Sequence, residues 1–141
     1  MKKKVERLTV DIDERAWARF SAKLPKVEDI DLLRDLVSYV NRRLVPMIEE
    51  VRTSYASISF FSKGREFLTF NVTRKGLRVY FHPPSGVLFS KDEGFSVERT
   101  SIWESSFQKS SGMYRAMTAW VSKKEHLPGI KTLIDRIPIS I

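Results

Sequence analysis

The sequence predicts an α+β fold: an antiparallel sheet of about four to five strands, with N-terminal and C-terminal helices packed on one face. Three observations lead there. Apolar and polar residues alternate along Tyr55–Phe61, Phe67–Thr73 and Leu77–His82, the period of half-buried strands. The turns between them, Ser62-Lys63-Gly64-Arg65 and Thr73-Arg74-Lys75-Gly76, are short and contain glycine, so the strands run antiparallel. Stretches with helical spacing flank these strands on both sides.

The elements follow in chain order. Val5–Asp13 alternates, with Leu8, Val10 and Ile12 on one side and Arg7, Thr9 and Asp11 on the other, and reads as a strand. Asp13 is placed to cap a helix over about Glu14–Leu24, which carries Trp17, Phe20 and Leu24 on one stripe and ends at Pro25. A second helix runs from about Asp29 to Leu44, with Leu33, Leu36, Val37, Val40 and Leu44 on one face. Its acidic start, Glu28, Asp29 and Asp31, suits the positive end of the helix dipole. Met47, Ile48 and Val51 extend the apolar spacing past Pro46, which favours a kinked continuation.

One face of the three strands collects Ala56, Ile58, Phe60, Leu68, Phe70, Val72, Leu77, Val79 and Phe81, a core set. The other collects Tyr55, Phe61, Phe67, Thr69, Asn71, Arg78, Tyr80 and His82. Beyond His82-Pro83-Pro84, residues 90–112 read as a long loop with a short helix around Ser105–Ser110. Tyr114–Val121 reads as a last strand. Ser122 and Glu125 have capping-box spacing, but Pro128 lies inside the helix they would start. A helix from Pro128 to Arg136 is the alternative. No repeat or linker divides the chain, so one domain of 141 residues is expected: a strand–helix extension over 1–28 and a core over 29–141.

Composition narrows the function. The chain has no cysteine, which removes disulfides, thiolate catalysis and Cys-type zinc sites. It has two histidines, His82 and His126, too few and too far apart for a paired-histidine metal site. There is no phosphate-binding Gly-rich loop, no HExxH and no Gly-x-Ser-x-Gly. No cofactor or metal is implied, and a non-catalytic role is expected. The N-terminus lacks an apolar run after its lysines and no stretch approaches the length of a membrane span, so a cytoplasmic protein without membrane association is expected.

Charge is uneven. The net charge is +8, yet residues 1–50 hold eleven Lys/Arg against ten Asp/Glu, and residues 51–141 hold fourteen against seven. The sheet-forming part therefore carries the positive field, which attracts polyanions. Tyr55, Phe67 and Tyr80 are placed to stack on bases, with Lys63, Arg65, Arg74, Lys75 and Arg78 to pair with phosphates and His82 beside them. DNA or RNA is the expected partner. An alternative is a protein interface or homodimer built on the same face. Another is ribbon-helix-helix-like DNA binding, in which the N-terminal strand enters the major groove.

From Asp31 to Arg136 the order of features resembles an uncharacterised α+β domain family. That family occurs alone, in predicted transport proteins and beside restriction-type nuclease domains. The residues that carry the resemblance are the helix Leu32–Val51, Tyr55-Ala56, Arg65-Glu66-Phe67 and Lys75-Gly76-Leu77-Arg78-Val79-Tyr80-Phe81. Ser122-Lys123-Lys124-Glu125-His126-Leu127 and Leu133-Ile134 follow near the end. The order is more distantly similar to the MmcQ/YjbR-like double-wing proteins, which are thought to bind DNA. The resemblance implies the α+β fold and favours nucleic acid among partners. It carries over no catalytic residue.

Overall fold

The computed structural model describes residues 12–44, 47–82, 101–102, 107–108, 113–114 and 117–137. The expected strand over Val5–Asp13, up to Asp11, and the ribbon-helix-helix reading that depends on it lie outside them. Helix α1 is Glu14–Lys23 and α2 is Val27–Leu44. Strands β1 (Glu50–Thr53), β2 (Ser57–Ser62), β3 (Arg65–Thr73) and β4 (Gly76–Phe81) follow. Then come β5 (Ser101–Ile102), β6 (Phe107–Gln108), β7 (Met113–Tyr114) and β8 (Met117–Val121). A 3-10 turn, Lys124–His126, leads into α3 (Leu127–Asp135).

The main sheet is antiparallel throughout, in the order β1-β2-β3-β4-β8-β5, and β6 pairs with β7 separately. Ile58, Phe60, Leu68, Phe70, Val72, Leu77, Val79 and Phe81 all face inward and are at most 1% exposed, as the alternation assigned them, whereas Ala56 lies in the turn before β2 and is half-buried. Met117, Ala119 and Val121 continue the inward face on β8. The three helices cover this one face. They bury Phe20 from α1, Leu33, Leu36 and Val40 from α2, and Ile130 and Ile134 from α3. The fold class is therefore α+β, as the alternation and flanking helices predicted.

Local signals hold the ends. The Asp13 carboxylate accepts from the Arg15 N–H at 3.0 Å and caps α1. Helix α2 starts two residues earlier than its acidic run suggested. The Asp29 carboxylate reaches back to the Lys26 N–H at 3.2 Å, so the acid at the third helical position caps the turn before it. Lys63 and Gly64 have φ of 52° and 76°, the consecutive left-handed pair that a two-residue hairpin turn needs.

Four expectations need correction. The helix does not continue past Pro46: Met47 and Ile48 turn onto the Leu44 carbonyl, the Glu49 N–H already bonds to Phe61, and Glu50–Thr53 is strand β1, paired with Phe61 to Ile58. Pairing with β2 satisfies the backbone there, and Val51 still packs on the core. Phe107–Gln108 is not helical but pairs with Met113–Tyr114. The last strand of the main sheet begins at Met117 rather than Tyr114. Finally, Ser122 does not cap a helix: its N–H donates to His126 Nδ1 at 3.1 Å, and the helix begins at Leu127 with Pro128 in its first turn.

Candidate nucleic-acid interface

Four of the nine candidate residues fall in or beside two turns. The β2–β3 turn carries Lys63 and Arg65; the β3–β4 turn carries Arg74 and Lys75. These turns sit at opposite ends of β3, whose nine residues span roughly 30 Å. The two pairs of cations therefore do not form one cluster.

At the Lys63 end, carboxylates balance the cations. Glu49 accepts from the Lys63 N–H at 2.7 Å. Glu50 is bound through both oxygens by Arg52, at 2.6 and 3.2 Å. Those hydrogen bonds hold the Glu50 carboxyl below its ordinary range. The Arg52 guanidinium in turn lies 4.4 Å from the Phe61 ring centroid.

The Arg74 end is different. The Ala56 carbonyl accepts from the Val72 N–H at 2.7 Å, which places the β1–β2 turn beside the β3–β4 turn. Helix α1 closes on the same end. Arg19 donates from Nε to the Tyr55 carbonyl at 3.1 Å and from Nη2 to the Ser54 carbonyl at 2.9 Å. Lys23 Nζ lies 4.9 Å from the Tyr55 ring centroid. Lys26 Nζ donates to the Ser122 carbonyl at 2.9 Å, where β8 ends. Arg19, Lys23, Arg74 and Lys75 thus stand at the same end of the sheet, with Lys26 at its border with α2. The segments that supply them, residues 15–27, 51–57, 72–78 and 117–124, contain no Asp or Glu at all. Clustered cations without compensating carboxylates raise the local positive potential.

Tyr55 is 71% exposed and belongs to the turn before β2, not to the sheet face. Its ring sits with the α1 cations. Phe67 is a correction of another kind. It is 2% exposed and part of the core, so no base can stack on it. Strand pairing slips between Phe60 and Phe61, which oppose Leu68 and Glu66, so Phe67 is the extra residue of a β-bulge. The bulge breaks the alternation that assigned Phe67 to the outer face.

Arg78 and Tyr80 lie in line on β4, which is flanked by β3 and β8, and His82 follows directly after the strand. Arg78 opposes Asn71 and Trp120; Tyr80 opposes Thr69 and Thr118. The Arg78 guanidinium lies 4.6 Å from the Tyr80 centroid and 5.5 Å from that of Trp120. Beyond this stack the face is polar. A cavity of about 360 Å³ opens there, lined in part by Ser59, Glu66, Thr69, Asn71, Tyr80 and His82. A second cavity, about 640 Å³ between α2 and the 122–127 segment, mixes Lys26 and Lys124 with Glu28, Asp31 and Asp35. Lys26 thus stands between these carboxylates and the end of the sheet that Arg19 and Lys23 reach.

Arg19, Lys23 and Trp120 were not among the residues picked from sequence. A signal for the first two exists: no carboxylate occurs between Glu14 and Glu28. Among the described residues, no three His, Asp or Glu side chains come together as metal ligands would. No described helix is long and apolar enough to cross a membrane. No family model, curated protein or solved structure matches the chain.

Proposed function

We propose that this chain is a non-catalytic nucleic-acid-binding domain, and that phosphates bind at the acid-free end of the sheet. The observation that carries this reading is the placement of Arg19, Lys23, Arg74 and Lys75 at one end of the sheet, on segments without a carboxylate. The exposed Tyr55 ring among them offers a stacking surface. Arg78 and Tyr80 extend the surface onto the outer sheet face. Lys63 and Arg65 have no part in this reading, because Glu49, Glu50 and Glu66 share their end of the sheet.

The test is fluorescence anisotropy of labelled single- and double-stranded oligonucleotides at two salt concentrations. Binding is expected at micromolar protein or tighter, weakening steeply as salt rises. Arg74→Ala and Lys75→Ala are each expected to lower the slope of log affinity against log salt by about 1. Lys63→Ala is expected to change it by less. No binding at low salt would overturn the proposal.

A further inference from the structure

Glu66 is the lone carboxylate on β2, β3, β4 and β8. It lines the outer-face cavity of about 360 Å³. A carboxylate is the wrong group for a phosphate. It is the right group for a ligand that brings hydroxyl donors, because an ionised carboxylate only accepts.

The side chain is held for that use. Glu66 Oε2 accepts from the Thr69 hydroxyl, whose oxygen also lies 3.3 Å from Ser59 Oγ. Thr69 has one hydroxyl proton. The carboxylate and Ser59 Oγ both lie where they can accept it. Glu66 and Ser59 thus flank the Thr69 hydroxyl at the wall of the cavity. Glu66 Oε1 has no partner among the described residues.

Bonding to Thr69 also draws the carboxylate to the level of Thr69 along β3. Asn71 is two residues further on, about 7 Å away. Its side-chain amide has no partner among the described residues, and it lines the same cavity. An amide offers a donor and an acceptor side by side, the pattern that a base edge matches. Tyr80 stands directly across from Thr69, with its ring at the wall of the cavity.

We infer that this cavity seats one ribonucleotide of an RNA strand, with its 2′-hydroxyl on Glu66 and its base edge on Asn71. The inference rests on the nucleic-acid reading above and makes the partner RNA. The 2′-hydroxyl is the group by which a protein tells RNA from DNA at one position. The Arg74–Lys75 turn lies three to four residues beyond Asn71, roughly 10–13 Å along the strand. Phosphates of neighbouring nucleotides reach it without leaving the sheet face.

The test uses the full chain and labelled single strands of one sequence, made as RNA and as DNA. RNA is expected to bind about five- to ten-fold tighter, the worth of about one hydrogen bond. Glu66→Gln keeps a partner for Thr69 but replaces the free acceptor with a donor. It is expected to bring the RNA preference below about two-fold and leave the salt slope unchanged. Asn71→Leu is expected to weaken RNA binding several-fold. Equal affinity of the native chain for RNA and DNA would overturn the inference and leave the nucleic-acid reading standing. So would an RNA preference that survives both substitutions. Failure to bind either strand at low salt would overturn the reading itself, and the inference with it.

Discussion

The guanidinium of Arg78 stacks 4.6 Å from the ring centroid of Tyr80, its neighbour two residues along β4. Its Nε is buried and has no acceptor among the described residues. A buried unpaired donor costs about 1–3 kcal/mol, and a cation over a ring returns about 0.5–2 kcal/mol. For the fold alone the two effects roughly offset each other. Arg78→Met keeps an unbranched stem of similar length and removes the donor. Its urea midpoint is expected to match or exceed that of the native chain, while nucleic-acid affinity falls several-fold. A clear loss of stability would mean that Arg78 serves the sheet rather than a ligand.

Phe67 and Tyr55 are expected to separate in the opposite way. Phe67→Ala empties a core position and is expected to cost about 3–5 kcal/mol of folding stability. Tyr55→Ala removes a ring that is 71% exposed and is expected to cost less than about 1 kcal/mol. Only the Tyr55 change is expected to weaken nucleic-acid binding in a chain that remains folded. Urea unfolding and anisotropy on the same samples check both.

Those two residues also mark where sequence reasoning stops. Alternation identified the inward set from Ile58 to Phe81 because a strand repeats every two residues and each of those positions obeys the repeat. A bulge adds one residue, and nothing in Glu66-Phe67-Leu68 announces it. Met47, Ile48 and Val51 fit a helical repeat as well as they fit a turn followed by a strand. Only the pairing of β1 with Phe61 to Ile58 decides between them. Arg74, Lys75, Arg78 and Tyr80 were legible as one group because they share a hairpin. Arg19 was not, because it meets Ser54 and Tyr55 across about 35 residues of chain.

Asp29 gives stability a pH dependence. It is 1% exposed, and burial pushes its carboxyl above the ordinary carboxylate range, against the opposing hydrogen bond from Lys26. A raised value means that the folded state holds the proton more firmly than the unfolded chain does. The resulting stability is fully present below the ordinary aspartate value and is lost as pH rises through the raised one. One carboxylate oxygen, Oδ1, also lacks a partner among the described residues. Asp29→Asn is uncharged and keeps an acceptor for the Lys26 N–H. Its urea midpoint is expected to exceed that of the native chain at pH 7. The difference should vanish near pH 3, where the native carboxyl is protonated in both states. An equal gain at both pH values would assign the effect to something other than ionisation.

A homodimer through the outer sheet face competes with the nucleic-acid reading, and its physical requirements differ. A stable self-association face has an apolar centre. The middle of this face is Ser57, Ser59, Thr69 and Asn71, with Arg78 and Tyr80 beside them. Pairing through a sheet edge is disfavoured as well. The β1 edge has four residues and carries the Glu50–Arg52 ion pair, features that resist strand addition. Sedimentation at tens of micromolar protein is therefore expected to give a single species near 16.4 kDa. Adding a single-stranded oligonucleotide should move the boundary by the mass of a complex with it. A concentration-dependent dimer that Tyr80→Ala abolishes, with no response to the oligonucleotide, would make the face a subunit interface instead.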